Sequence, residues 1–246
     1  MKTNDNEFYV GYLPKAPDGL ARFVKPMVTG LIAMALVVSL ALVFAQHPFP
    51  TSNFEFGTNR TYRGLVVNRP YPELRASDGQ YLLVLPGKHG AKTFADSFNG
   101  FAVEMRGSRI ERGGHTMIEI LPESARRLGQ TPAQYIPHVE PLGEVTLTGE
   151  IVDSKCFLGV MNPGNGKTHR DCAARCISGG IPPAFIAKDA RGVSAFMLLS
   201  GPNGEPLHRE VLDYVAEPVR IRGSLIRSGG TLVLRADPKQ FERSGE

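Results

Sequence analysis

The sequence predicts a mainly β protein: one N-terminal transmembrane helix, then two tandem small β-barrel domains, the second with a helical Cys/His insertion. Three observations predict it. Residues Met27 to Ala45 form an uncharged run of 19. Two stretches of the remaining chain read alike, as short apolar or alternating runs broken by Gly-Gly turns. All three cysteines fall within one 21-residue window, Cys156 to Cys176.

The apolar run comes first. At 1.5 Å per residue, 19 helical residues span about 28 Å, close to the hydrocarbon core of a bilayer. It has no polar stripe, which a soluble core helix would show. A cleaved signal peptide is the rival reading, but its apolar region runs only about 7–15 residues, and here 26 residues precede the span. Lys15, Arg22 and Lys25 lie before it, and no Lys or Arg follows until Arg60. The positive-inside rule therefore leaves residues 1–26 as a cytoplasmic tail of a single-pass inner-membrane protein and sends the bulk of the chain into the periplasm or beyond the cell. The cytoplasmic membrane is thus its first partner, and thiols outside meet oxidising conditions. The net charge of +4 comes with no Lys/Arg run interleaved with aromatics, so nucleic acid is not an expected partner. Nor is a nucleotide: Asn165-Gly-Lys-Thr168 imitates the end of a P-loop, but Met161 stands where its first Gly belongs.

The barrels rest on an internal duplication. Val103 to Ile120 matches Val219 to Arg235 with a one-residue gap, and both share Arg-Gly-Ser-x-Ile, at Arg106–Ile110 and Arg222–Ile226. Tyr62–Val67 pairs with Leu147–Val152, and Gln80–Leu85 with Ala195–Ser200. The glycine of each Arg-Gly-Ser suits a bulge or a sharp bend at a barrel corner. From Gly64 to Gly149 is 85 positions, but from Gly107 to Gly223 is 116, so the second copy carries a surplus of 31 residues. These assign 54–122 to the first barrel, 123–143 to a linker, and 144–240 to the second barrel, with its surplus at 156–187.

The second copy also resembles an uncharacterised group of small secreted bacterial domains with an OB-like barrel. The resemblance rests on Gly149-Glu-Ile-Val-Asp-Ser-Lys-Cys156-Phe157, then Gly166-Lys-Thr-His169-Arg-Asp-Cys172-Ala-Ala-Arg-Cys176-Ile-Ser-Gly-Gly-Ile-Pro182. Phe157 replaces the group's usual Tyr, so a phenolic role is absent. It implies an OB-like fold, here in membrane-anchored tandem form, and brings no activity with it.

Within the window, Thr168 reads as a helix N-cap with Asp171 three residues on, and Gly179-Gly180 as the stop. His169, Cys172 and Cys176 then share one helical face. Cys156, His169, Cys172 and Cys176 are the candidate metal ligands, a Cys/His set suited to zinc or copper. About 10.5 Å of helix separates His169 from Cys176, more than the two side chains comfortably span. The fourth ligand therefore requires His169 to stand before the helix or the first turn to deform. The redox reading uses Cys156, Cys172 and Cys176 as a disulfide with a spare thiol, with Cys172 as its nucleophile. A third reading makes the cysteines structural. His89, His115, His138 and His208 are isolated and read as surface residues. No catalytic residue set stands out, so the expected function is a non-catalytic accessory protein with a Cys/His metal or redox site, beside a protein partner in or near the membrane. The alternatives are a thiol-disulfide or thiol-nucleophile enzyme using Cys172, and a protein- or glycan-binding module.

Overall fold

The structure, a computed structural model, describes residues 17–46, 52–130, 139–188 and 194–244. The chain forms two compact units, 1–49 and 50–246. In the first, helix α1 (Asp18–Ala45) is 28 residues long, has no buried residue, and is long and apolar enough to cross a membrane. It begins nine residues before the expected span. Asp18 favours its N-terminus through the helix dipole. Pro26 is tolerated inside the helix, where Thr29 Oγ1 donates to the Lys25 carbonyl at 2.8 Å. Of the expected tail, residues 1–16 lie outside the described residues.

The second unit is mainly β. Its first sheet contains β1 (Ser52–Phe54), β2 (Arg60–Asn68), β3 (Pro72–Ala76), β4 (Gly79–Val84), β5 (Phe101–Arg112) and β6 (His115–Gln130), with α2 (Lys92–Phe98) between β4 and β5. Its order is β1-β5-β2-β3-β4-β6, and β5 also pairs with β6, so five strands close a ring. The second sheet contains β7 (Val139–Asp153), β8 (Pro183–Lys188), β9 (Ser194–Ser200), β10 (Pro218–Ser228), β11 (Thr231–Arg235) and β12 (Glu242–Arg243). Its order is β11-β9-β8-β7-β10-β12, again closed, here by β10 with β11. Each ring has one parallel pairing, β4 with β6 and β9 with β11.

The segments matched in the sequence occupy corresponding places. Gly64 on β2 stands opposite Val103, and Gly149 on β7 stands opposite Val219. The four glycines of the matched segments, Gly64, Gly107, Gly149 and Gly223, are close-approach positions. A Cβ would come within 2.3 Å of the Arg75 carbonyl oxygen at Gly64, 2.2 Å of that of Ile186 at Gly149, 2.5 Å of that of Glu119 at Gly107, and 2.3 Å of that of Arg235 at Gly223. Small rings coil their strands tightly, and backbone meets backbone where the coil is tightest. The β2–β3 connection is residues 69–71, whereas the β7–β8 connection, 154–182, holds an irregular turn (Cys156–Val160), a 3-10 turn (Lys167–His169) and α3 (Arg170–Ser178).

The expected linker, 123–143, is largely strand. β6 continues to Gln130 and β7 starts at Val139, where its pairing with the end of β10 satisfies its backbone. Residues 131–138, with His138, lie outside the described residues. Each ring encloses its own apolar core: Leu74, Leu83, Met105 and Ile118 in the first, Ile151, Phe185, Leu199 and Ile221 in the second. A third apolar cluster joins them, drawing Tyr71, Val84, Ile110 and Met117 from the first ring, Val152, Ile186 and Leu198 from the second, and Cys156, Leu158 and Cys176 from the connection between. Residues 50–246 are therefore one compact unit in which the long connection fills the seam between two rings.

Candidate functional site

The seam is where the cysteines meet. β7 ends at Asp153, and Ser154 and Lys155 carry the chain to Cys156. The Asp153 carboxylate caps this corner, its Oδ1 accepting from the Cys156 amide at 2.8 Å. On α3, neighbouring rows face different ways. Ala173 and Ile177 pack into the second ring's core, while Cys172 and Cys176, one turn apart, pack against the seam. The helix ends at Gly179, whose amide reaches the Arg175 and Cys176 carbonyls.

The three sulfurs, all free thiols, lie within 4.8 Å of one another. Cys156 and Cys176 are buried and Cys172 is partly accessible. The Cys156 thiol donates to the Cys176 sulfur, and that bond, with burial, pushes Cys156 well above its ordinary value. The same bond, helped by Lys88, pulls Cys176 below its ordinary value. Of the two, Cys176 is the thiol that ionises more readily. The expected disulfide is not formed.

His169 goes elsewhere. It sits in the 3-10 turn just before α3, and Thr168 makes no side-chain cap, contrary to the expected N-cap and first turn. Its Nε2 lies 3.0 Å from Asp153 Oδ2, with both residues buried, at 6% and 0% exposure. A second ligand-capable trio results, Asp153, Cys156 and His169, whose donor atoms also lie within 4.8 Å of one another. The two trios share Cys156. His169 is therefore gathered with Cys156 but not with Cys172 and Cys176, as the length of helix between His169 and Cys176 had restricted.

Two functional residues come from beyond the window. Asp153 had a local signal: it closes the Gly149-Glu-Ile-Val-Asp run three residues before Cys156. Lys88 had none. It belongs to the 85–91 loop of the first ring, and its Nζ donates to Cys172 Sγ at 2.8 Å and approaches Cys176 Sγ at 3.6 Å. The bond to Cys172 raises the lysine above its ordinary value, which keeps it an ammonium. Glycine makes the approach possible. A Cβ on Gly179 would sit 1.8 Å from the Lys88 carbonyl oxygen, and one on Gly90 would sit 2.0 Å from that of Gly180. The Gly90 amide donates to the Gly179 carbonyl at 2.9 Å.

The rest of the connection is clamped to the first ring. Arg112 on β5 donates to the Pro163 carbonyl at 3.1 Å and lies over the Phe157 ring at 4.5 Å. Lys155 runs the other way, its Nζ bonded to the Leu85 and Gly87 carbonyls at 2.9 and 2.7 Å and paired with Glu119. Of the histidines read as surface residues, His89 is exposed. His115 and His208 are half-buried, with rings against Phe196 and Tyr71, because the seam closes over them. No family model, curated protein or solved structure matches this chain.

Proposed function

We propose that this chain is a membrane-anchored, exported accessory protein that binds a thiophilic metal, zinc(II) or copper(I), through Cys156, Cys172 and Cys176, beside a protein partner in or near the membrane. The observation that carries the reading is the convergence of three sulfurs within 4.8 Å at a largely dry seam. Thiolates select these ions over hard ones, and a three-sulfur set either completes a copper(I) site or leaves zinc an open fourth position. Lys88 offsets the anionic charge that three thiolates would concentrate there. The anchor is α1, with the N-terminus cytoplasmic, supported by Lys15, Arg22 and Lys25 before the span and none after it until Arg60. The two rings are a tandem OB-like pair descended from one barrel, and the matching Gly64–Val103 and Gly149–Val219 registers support it.

One observation favours a second reading. Cys172 is the accessible thiol and has an ammonium at 2.8 Å, the setting of a nucleophilic or disulfide-exchanging cysteine. Full-length protein purified in detergent without chelator separates the two. The expected result is stoichiometric zinc or copper, lost in Cys172→Ser. Metal-free protein whose Cys172 is alkylated quickly at mildly acidic pH would overturn the metal reading in favour of the nucleophile.

A further inference from the structure

The sharing of Cys156 by two ligand trios leads further. We propose that the site is dinuclear: the Cys156 thiolate bridges one ion held by Cys172 and Cys176 to a second ion held by Asp153 and His169. The inference rests on the trithiolate reading above and adds to it a second subsite of different character.

Cys156 belongs to both sets. One holds Cys172 and Cys176, and the other holds Asp153 and His169, whose Oδ2 and Nε2 lie 3.0 Å apart. That separation is a hydrogen bond, and the two atoms would part to about 3.4 Å as tetrahedral neighbours on one ion with bonds of about 2.0–2.2 Å. Imidazole, carboxylate and a bridging thiolate together suit zinc(II), which accepts nitrogen, oxygen and sulfur donors.

Charge admits the same arrangement. With its thiols ionised, the cluster holds three thiolates and one carboxylate, of which Cys172 is partly accessible and Asp153 fully buried. Among the described residues Lys88 is the ammonium that touches it, because Lys155, beside Cys156 in sequence, spends its charge on Glu119 and two carbonyls of the first ring. Anions so placed are costly without matching cations. With Lys88 counted, one divalent ion leaves a single negative charge in excess and two leave a single positive one, so a second ion brings no greater imbalance than the first, and the thiol protons leave to solvent as the sulfurs bind.

The position of His169 is explained too. A histidine serving only to complete a Cys3His site would lie with Cys172 and Cys176. Here the 3-10 turn takes it out of helix register and turns it to Asp153, in the trio that lacks Cys172 and Cys176.

The test is zinc stoichiometry on the reduced full-length protein in detergent, titrated against a chromophoric zinc chelator. Two equivalents are expected for the wild type and one for His169→Gln, whose amide can still bond Asp153 and preserve the turn. Near-ultraviolet circular dichroism checks that the variant keeps its fold. A second measurement, cadmium NMR of the wild type, should show two resonances coupled to each other through the shared sulfur. One equivalent in the wild type, or two retained in His169→Gln, overturns the dinuclear inference while leaving the trithiolate site standing. Failure to bind either zinc or copper(I), in parallel titrations, overturns the trithiolate reading beneath it.

Discussion

Lys88 carries its charge to a sulfur 84 positions further along the chain. No spacing rule places it there. The contact exists because Gly90 and Gly179 let two backbones approach where side chains would collide. A buried carboxyl group lies on β3. Glu73 is 2% exposed, accepts from Gln80 Nε2 at 2.6 Å, and is paired with Arg75 at 3.3 Å. Burial outweighs these partners and pushes its carboxyl up to about 7 from an ordinary 4.5. Between those values the folded chain holds a proton that the unfolded chain has lost, so this group makes stability fall as pH rises through the window. Above about 7 the folded carboxyl ionises too and the loss is complete. Glu73→Gln should therefore gain stability relative to the wild type as pH rises from 4.5 to 7. Urea unfolding at both pH values checks this, and a constant gap between the two proteins would contradict it.

At the scale of elements, α3 serves two packings at once. Ala173 and Ile177 anchor it in the second ring, and the adjacent row presents Cys172 and Cys176 to the seam. Nine residues cannot form a stable isolated helix, so this one exists because both rows are packed. Its C-terminal glycine is the sensitive point. Gly179→Ala would drive a methyl group into the Lys88 carbonyl, a backbone atom with little room to retreat. A loss of about 1–3 kcal/mol is expected, in the range of overpacked sites. The variant should also bind zinc more weakly, since the loop carrying Lys88 must shift. Gly230→Ala is the control, because nothing lies within 4 Å of its Cβ position. Denaturant unfolding and zinc titration of both variants check the contrast, and equal effects would refute it.

For residues 50–246 as a whole, the shared cluster makes two rings one body. Tyr71 shows how tightly. It leaves the first ring at 1% exposure, its hydroxyl donates to the Leu199 carbonyl at 2.6 Å, and it accepts from the Leu207 amide at 3.0 Å. Tyr71→Phe strips both backbone groups of this partner, at a cost of about 1–3 kcal/mol. Because the seam is common to both rings, unfolding should be one cooperative transition, shifted as a unit by this substitution. Circular dichroism and thiol accessibility, followed through the same denaturant series, should give coincident curves in wild type and variant. Separate transitions for the two probes would show that the rings unfold independently.

What the sequence by itself determined is local. The apolar helix follows from an unbroken run of 19 residues, and the strands follow from alternation and Gly-Gly turns. The three cysteines could be grouped because an i, i+4 pair on a helix and a strand end one loop away are constrained by short-range geometry. The surplus in the second copy was legible from spacing alone. Its expected bounds, 156–187, run into β8, whose Pro183 already begins the next strand. The tertiary structure decided the rest. It turned both ends of the expected linker, 123–130 and 139–143, into strand, since long β6 and β7 find partners on β5 and β10. It moved His169 to Asp153, gave Cys156 a place in two trios, and brought Lys88 across the seam. These depend on which surfaces two rings bury against each other, a property of long-range packing that no window of sequence contains.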